Sequence, residues 1–209
     1  MDIRTATQLA SFTLQFARVD RATFHPDGKR PETDSDHTVM LATISCEFCP
    51  SYLNRGRVAE FAIAHDMVEG VEGVGDVQTL DIDAAGRAAK EERERAGVEW
   101  LRERFGAGSW LVRTIDAYVA QVEPEARFVR ALDKVVPRLT HALNGGAAAK
   151  KITGGDFEKF KRLQSEHYQK LQEEFGGEPW GPDFLTLLNT AILQAELAWV
   201  RDDSANKQV

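Results

Sequence analysis

Cysteine is scarce in this 209-residue chain, and the two that occur, Cys46 and Cys49, form one Cys-Glu-Phe-Cys. A structural zinc site needs a second ligand pair at similarly short spacing, and none follows; a redox pair needs a βαβ setting, which is also missing. The pair reads as two ordinary reduced thiols near a helix end. Long apolar runs are missing too. Nothing approaches the ~20 residues of a bilayer span. The start, Met1-Asp2-Ile3-Arg4, lacks the basic-then-apolar layout of a secretory leader, and the expectation is a cytoplasmic protein with no membrane partner. Positive charge is in deficit, with 26 Lys and Arg against 33 Asp and Glu and a net charge of −7. That argues against a non-specific binder of polymeric nucleic acid, which normally carries a basic face. A small anionic substrate stays open, since a local arginine or a metal overrides the global sign. Strand-like alternation is confined to a weak run at 77–82, and no repeat or low-complexity block appears.

What is present is enough apolar material, 43% of residues, for a sizeable core, at a length that suits one domain. Apolar periodicity and breaker residues predict helices at about 5–18, 36–48 (capped by Ser35 or Asp36), 54–69, 84–105, 109–121, 123–144, 156–175 and 182–201. The charged run Lys90 to Arg95 reads as a solvated helix face, unless that helix lines the rim of a site. Residues 20–36, rich in turn chemistry, read as a loop of roughly 15 residues, long enough to attract function. Residues 147–155 read as a mobile connector, and a polar tail follows 201. The expected class is all-α: a single domain over 1–209 of seven or eight helices, with a core at about 8–144 and a helical extension at about 156–201.

Chemistry concentrates at three places: Asp36-His37, His65-Asp66 followed by Glu69, and Asp133. His65-Asp66 sits among Phe61, Ile63, Ala64 and Met67, and Asp133 among Val129, Leu132, Val135 and Val136. A carboxylate at such a position is costly unless it is paired or holds a metal. Two His and two Asp suit a first-row divalent ion. On a predicted helix through 54–69, Glu69 shares the face of His65 and Asp66, one turn along.

In order along the chain, these motifs resemble the HD-domain metal-dependent phosphohydrolases, in particular the branch of the 5′-deoxynucleotidases. The segments that carry the resemblance are Pro31-Glu32-Thr33-Asp34-Ser35-Asp36-His37, His65-Asp66-Met67-Val68-Glu69, Gly75-Asp76, and Glu125-Ala126-Arg127-Phe128-Val129-Arg130-Ala131-Leu132-Asp133. Together they cover roughly residues 8–140. The resemblance implies an HD helical fold and one divalent ion (Mn, Co, Fe, Zn or Mg) on His37, His65, Asp66 and Asp133. Glu69 would orient or deprotonate the attacking water, and Asp76 would serve as acid or supporting group. Arg21, or Arg18 if the alignment slips, would clamp phosphate.

Two departures stand out. The family's tryptophan beside that arginine is missing, and Phe24 is the candidate wall for base or sugar. The stretch from Glu69 to Asp76 is longer than the family pattern, which makes Glu72 a competitor of Glu69. The expected activity is phosphate release from deoxyribonucleoside 5′-monophosphates. The alternatives are a deoxynucleoside triphosphate triphosphohydrolase or pyrophosphohydrolase, and a non-catalytic nucleotide-binding scaffold. Relatives imply a homodimer or higher homo-oligomer. His25 reads as an exposed loop residue, His141 and His167 as helix-surface residues, and the four Trp as core or interface.

Overall fold

The computed structural model describes residues 2–78 and 82–206, with only the backbone for 203–206. Half of the run at 77–82 (residues 79–81) and the end of the polar tail therefore lie outside the described residues. Among them the order is α1 (Ile3–Phe16), β1 (Asp20–Phe24), β2 (Pro31–Thr33), α2 (Asp34–Glu47), α3 (Arg55–Ala64), a short 3-10 helix (Met67–Gly70), α4 (Ala84–Phe105), α5 (Trp110–Ala120), α6 (Pro124–Leu143), α7 (Ala147–Thr153), α8 (Phe157–Phe175) and α9 (Gly181–Asn206). The helical class is as expected. Nine α-helices among the described residues exceed the seven or eight expected, and a two-stranded sheet is added. None of these helices is long and apolar enough to cross a membrane.

The sheet corrects the reading of residues 20–36 as loop. Asp27 Oδ1 accepts from the N–H groups of Lys29 and Arg30 at 2.8 and 3.0 Å, and Gly28 turns the chain at φ +67. Those bonds close a hairpin whose strands are too short to show alternation. Its second strand runs into α2. There Thr33 caps the helix in place of Ser35, with Asp36 completing a reciprocal capping box.

Backbone contacts divide the described chain into two compact units. The first comprises residues up to Arg21 and Thr33–Arg130. Its core is Phe12 and Phe16 of α1, Ala64, Met67, Val68 and Val71, Leu101 of α4, and Leu111, Val112 and Ile115 of α5. Two glycines bring backbones close around the 3-10 helix. A Cβ on Gly70 would lie 2.8 Å from Phe16 Cβ, and one on Gly97 of α4 would lie 2.7 Å from Val68 Cγ2. The helix predicted through 54–69 stops at Ala64: His65 keeps helical angles as its cap, Asp66 leaves them at φ −106 and ψ 5, and the 3-10 helix follows.

The second unit comprises Ala22–Glu32 and the chain from Ala131 onward. Trp199 of α9 stacks on Phe160 of α8 at 5.2 Å between centroids, with Ala149 of α7 and Ala195 beside them. The expected connector at 147–155 is helical instead. Ala147, Ala148 and Ala149 are strong helix formers, and glycines in left-handed conformations, Gly146 and Gly154, bound them. His141 is buried against Phe160, which corrects its placement on a helix surface. Trp180 and Trp199 are core residues, whereas Trp100 and Trp110 stay substantially exposed.

Candidate metal centre

Three of the four expected ligands come from neighbouring elements of the first unit. His37 sits in the first turn of α2, His65 caps α3, and Asp66 is the first residue beyond it. One ring nitrogen of each histidine and one carboxylate oxygen of Asp66 lie within 4.8 Å of one another. His65 Nε2 is 2.9 Å, and His37 Nε2 3.9 Å, from Asp66 Oδ2. Both histidines are buried. His65 Nδ1 lies 2.9 Å from the carbonyl oxygen of Ala62, which can only accept, so Nδ1 carries the proton. In a neutral ring that leaves the lone pair on Nε2, which lies 2.9 Å from a carboxylate oxygen of Asp66. Two acceptors at such a distance favour a cation between them, and a backbone carbonyl orienting the far nitrogen is the usual support of a metal-ligating histidine. The donor set fits a divalent ion of the first transition row.

Beside it lies a second group, Asp34, Glu69 and Asp76, with one oxygen of each within 4.8 Å of the others. Its cations come from the protein. Arg21 Nη1 is 2.9 Å from Asp34 Oδ1, 3.2 Å from Asp66 Oδ2, and 3.9 Å from both Glu69 Oε2 and Asp76 Oδ1. Lys90 Nζ reaches in from α4 to Glu69 Oε1 at 2.9 Å and also bonds Glu94. Burial pushes the Asp34 carboxyl up to about 6; Arg21 opposes the shift, and the charge of Asp66 adds to it. Glu69 is pushed up to about 10, first by burial and then by Asp66, with Lys90 pulling the other way. The Lys90 ammonium is held above the ordinary lysine range: burial disfavours its charge, but Glu69 and Glu94 outweigh that.

Glu69 thus faces the site, although by a route other than the expected continuous helix. Its position comes from the 3-10 helix, where its N–H donates to the Asp66 carbonyl at 2.8 Å. Glu72 is exposed, so Glu69 and not its competitor adjoins Asp76. The extra residues close as a turn, with Gly75 N–H donating to the Glu69 carbonyl at 3.1 Å and positive φ at Gly73 and Gly75. Arg21 enters the carboxylates, while Arg18 is exposed in the turn after α1.

Asp133 and Phe24 belong to the second unit. Asp133 is buried on α6 and accepts from Lys134 Nζ at 2.6 Å. Pro137 stands four residues later and has no N–H for the Asp133 carbonyl, which loosens the helix at that point. Phe24 lies under Lys151 Nζ, 5.5 Å from the ring centroid, and its carbonyl accepts from Asn144.

Two residues at this site were not among the candidates expected from the sequence. Asp34 is hidden because the sequence places it in a turn-rich loop, where a carboxylate is expected to be solvated. Lys90 is hidden inside a charge run, although its spacing to Glu94, Gly97 and Leu101 is that of one helix face.

Comparison with known proteins follows the same lines. The chain is 28% identical over 137 residues to the human (Homo sapiens) 5'-deoxynucleotidase HDDC2, covering 63% of this chain and 64% of that one. The bovine (Bos taurus) protein of that name is 28% identical over 134 residues, covering 63% of each. The match thus spans a little under two thirds of the length of these relatives. The crystal structure of a predicted metal-dependent phosphohydrolase from Magnetospirillum magnetotacticum MS-1 superposes with a TM-score of 0.63 at 25% identity, covering 93% of this chain and 98% of that one. The family profile described as HD domain matches residues 15–175, so with its His65-Asp66 pair set beside His37 the chain belongs to the HD domain family.

Proposed function

We propose that the chain is a metal-dependent phosphohydrolase of small nucleotides, releasing phosphate from deoxyribonucleoside 5′-monophosphates. One observation carries the reading: two buried imidazoles and Asp66 adjoin a buried glutamate and a partly buried arginine in a single cluster. Membership of the family and the names of the similar proteins support it. His37, His65 and Asp66 would hold one divalent ion, and the family resemblance adds Asp133 as the fourth ligand. Such an ion, when bound, acidifies a water and polarises a phosphoryl oxygen.

The chain's own groups do the rest. Glu69 Oε2 takes the proton of the attacking water. The planar guanidinium of Arg21 matches phosphate oxygens and answers the charge that develops on them. Asp76 protonates the leaving 5′ oxygen, and Phe24 provides an apolar wall for sugar or base.

The test is a release screen on folded, metal-stripped protein. It covers deoxyribonucleoside and ribonucleoside monophosphates and deoxynucleoside triphosphates, each with Mn²⁺, Co²⁺, Fe²⁺, Zn²⁺ or Mg²⁺. Orthophosphate from the deoxyribonucleoside monophosphates is expected. Tripolyphosphate or pyrophosphate from triphosphates selects the other hydrolase. No metal-stimulated release from any nucleotide rejects catalysis, and nucleotide binding that survives Asp66→Asn then marks a scaffold.

A further inference from the structure

Glu69 is a carboxylate with two unlike oxygens. Oε1 accepts from Lys90 Nζ at 2.9 Å. Oε2 is buried and accepts no hydrogen bond among the described residues. The side chain as a whole is only 3% exposed. A free carboxylate spins between equivalent orientations, and a donor on one oxygen removes that freedom. Here the donor comes from α4, an element with no other part in the site. Its inner face is Lys90, Glu94, Gly97 and Leu101; Gly97 and Leu101 are buried, and Gly97 lets α4 press against Val68, the residue before Glu69. Glu94, on the same face one turn from Lys90, takes a second hydrogen of the ammonium. Among the described residues, other charged groups around Glu69 are Arg21 from β1, Asp34 from α2, Asp66 ahead of the 3-10 helix and Asp76 beyond it. None of these holds Oε1, and Arg21 stands 3.9 Å from Oε2.

We propose that Lys90 is the positioning residue of Glu69: seated by Glu94, its ammonium holds Oε1 and leaves Oε2 turned into the site as the proton acceptor. This rests on the assignment of Glu69 in the proposed function. An acceptor displaced by a fraction of an ångström to an ångström loses near-attack alignment, which costs on the order of 10²-fold in turnover. Binding of metal and of substrate, which rest on other residues, should be spared.

The experiment compares Lys90→Met, Lys90→Arg, Glu94→Gln and Glu69→Gln in the full chain. Phosphate release from deoxyribonucleoside monophosphates is followed with Mn²⁺, and Mn²⁺ affinity is measured calorimetrically. Lys90→Met should lower kcat about 10- to 100-fold, with KM and Mn²⁺ affinity within about 3-fold of the parent. Lys90→Arg should recover most of the loss. Glu94→Gln, a partly exposed change that does not threaten folding, should cost a few-fold in kcat alone. Against the residual turnover of Glu69→Gln, adding Lys90→Met should change little.

A parental kcat in Lys90→Met beside a crippled Glu69→Gln overturns the role of Lys90 and leaves Glu69 standing. Equal falls in Mn²⁺ affinity and kcat overturn it too, since the lysine would then support the fold of the site as a whole. If Lys90→Met does not fold, an unchanged kcat in both Lys90→Arg and Glu94→Gln overturns it. A parental kcat in Glu69→Gln overturns the assignment of Glu69 itself.

Discussion

Replacing Arg21 by Met keeps the aliphatic stem and removes the guanidinium from between Asp34 and Asp66. Asp34 is fully buried, and Arg21 Nη1 donates to its Oδ1 at 2.9 Å. Breaking one side of a buried ion pair ordinarily costs about 3–5 kcal/mol, because a charge is stranded. Here the stranded carboxylate has an exit: its pKa is already pushed up to about 6, so it can take a proton instead. Each pH unit above that value makes protonation about 1.36 kcal/mol dearer. The pH-dependent part of the loss is therefore near zero at pH 6, about 1.4 kcal/mol at pH 7 and about 2.7 kcal/mol at pH 8. The sign is that of a raised acid. What Asp34 contributes is fully present below its unfolded value and is lost as pH rises through the folded one, and removing Arg21 raises the folded value further. Urea unfolding of metal-free Arg21→Met against the parent at pH 6, 7 and 8 measures this, with Asp34→Asn as the partner in a double-mutant cycle. The loss should grow with pH and should shrink in the Asp34→Asn background. A pH-independent difference, or full additivity of the two changes, would refute the coupling of this pair.

Asp66→Asn should weaken Mn²⁺ binding by more than the roughly 10–100-fold that loss of a supporting partner costs, as read by calorimetry; near-parental affinity would remove Asp66 from the ligands. Glu69, pushed up to about 10 without metal, should make the metal-free protein lose stability as pH climbs from about 4.5 towards that value. Mn²⁺ should reverse that trend, and Glu69→Gln should flatten it; a thermal midpoint that rises with pH in the metal-free parent speaks against the raised carboxyl. Gly97→Ala gains about 1 kcal/mol of helix propensity but places its Cβ 2.7 Å from Val68 Cγ2 and 3.0 Å from Val74 Cγ2. Overpacking of about 1–3 kcal/mol should win, lowering the unfolding midpoint, whereas a more stable variant would show that α4 is free to back away.

How far the site could be read from the chain depends on the kind of signal. Spaced His and Asp residues on apolar backgrounds announce themselves, because an unpaired polar group among Phe61, Ala64 and Met67 needs a reason to be there. Glu69 was identifiable from its spacing, yet the supposed helix face was the wrong cause: a 3-10 helix presents it. Asp34 and Lys90 were illegible for a shared reason. Each lies in a local pattern, a turn-rich loop and a run of mixed charge, that solvent alone would explain. Only packing shows that one is fully buried and the other reaches inward.

Composition and periodicity were sufficient for the helical class, for the acidic net charge, and for α4, whose bounds the charged amphipathic pattern marks well. Those properties are local or summed along the chain, so they survive without knowledge of neighbours. Folding decided the hairpin at residues 20–33, the break after His65, the packing of Glu69 and Arg21, and not Glu72 and Arg18, beside Asp76, and the charge balance around the carboxylates. Each of these depends on which distant groups are brought within a few ångströms in a space closed to water, where burial sets both the cost of a charge and the partner it must find.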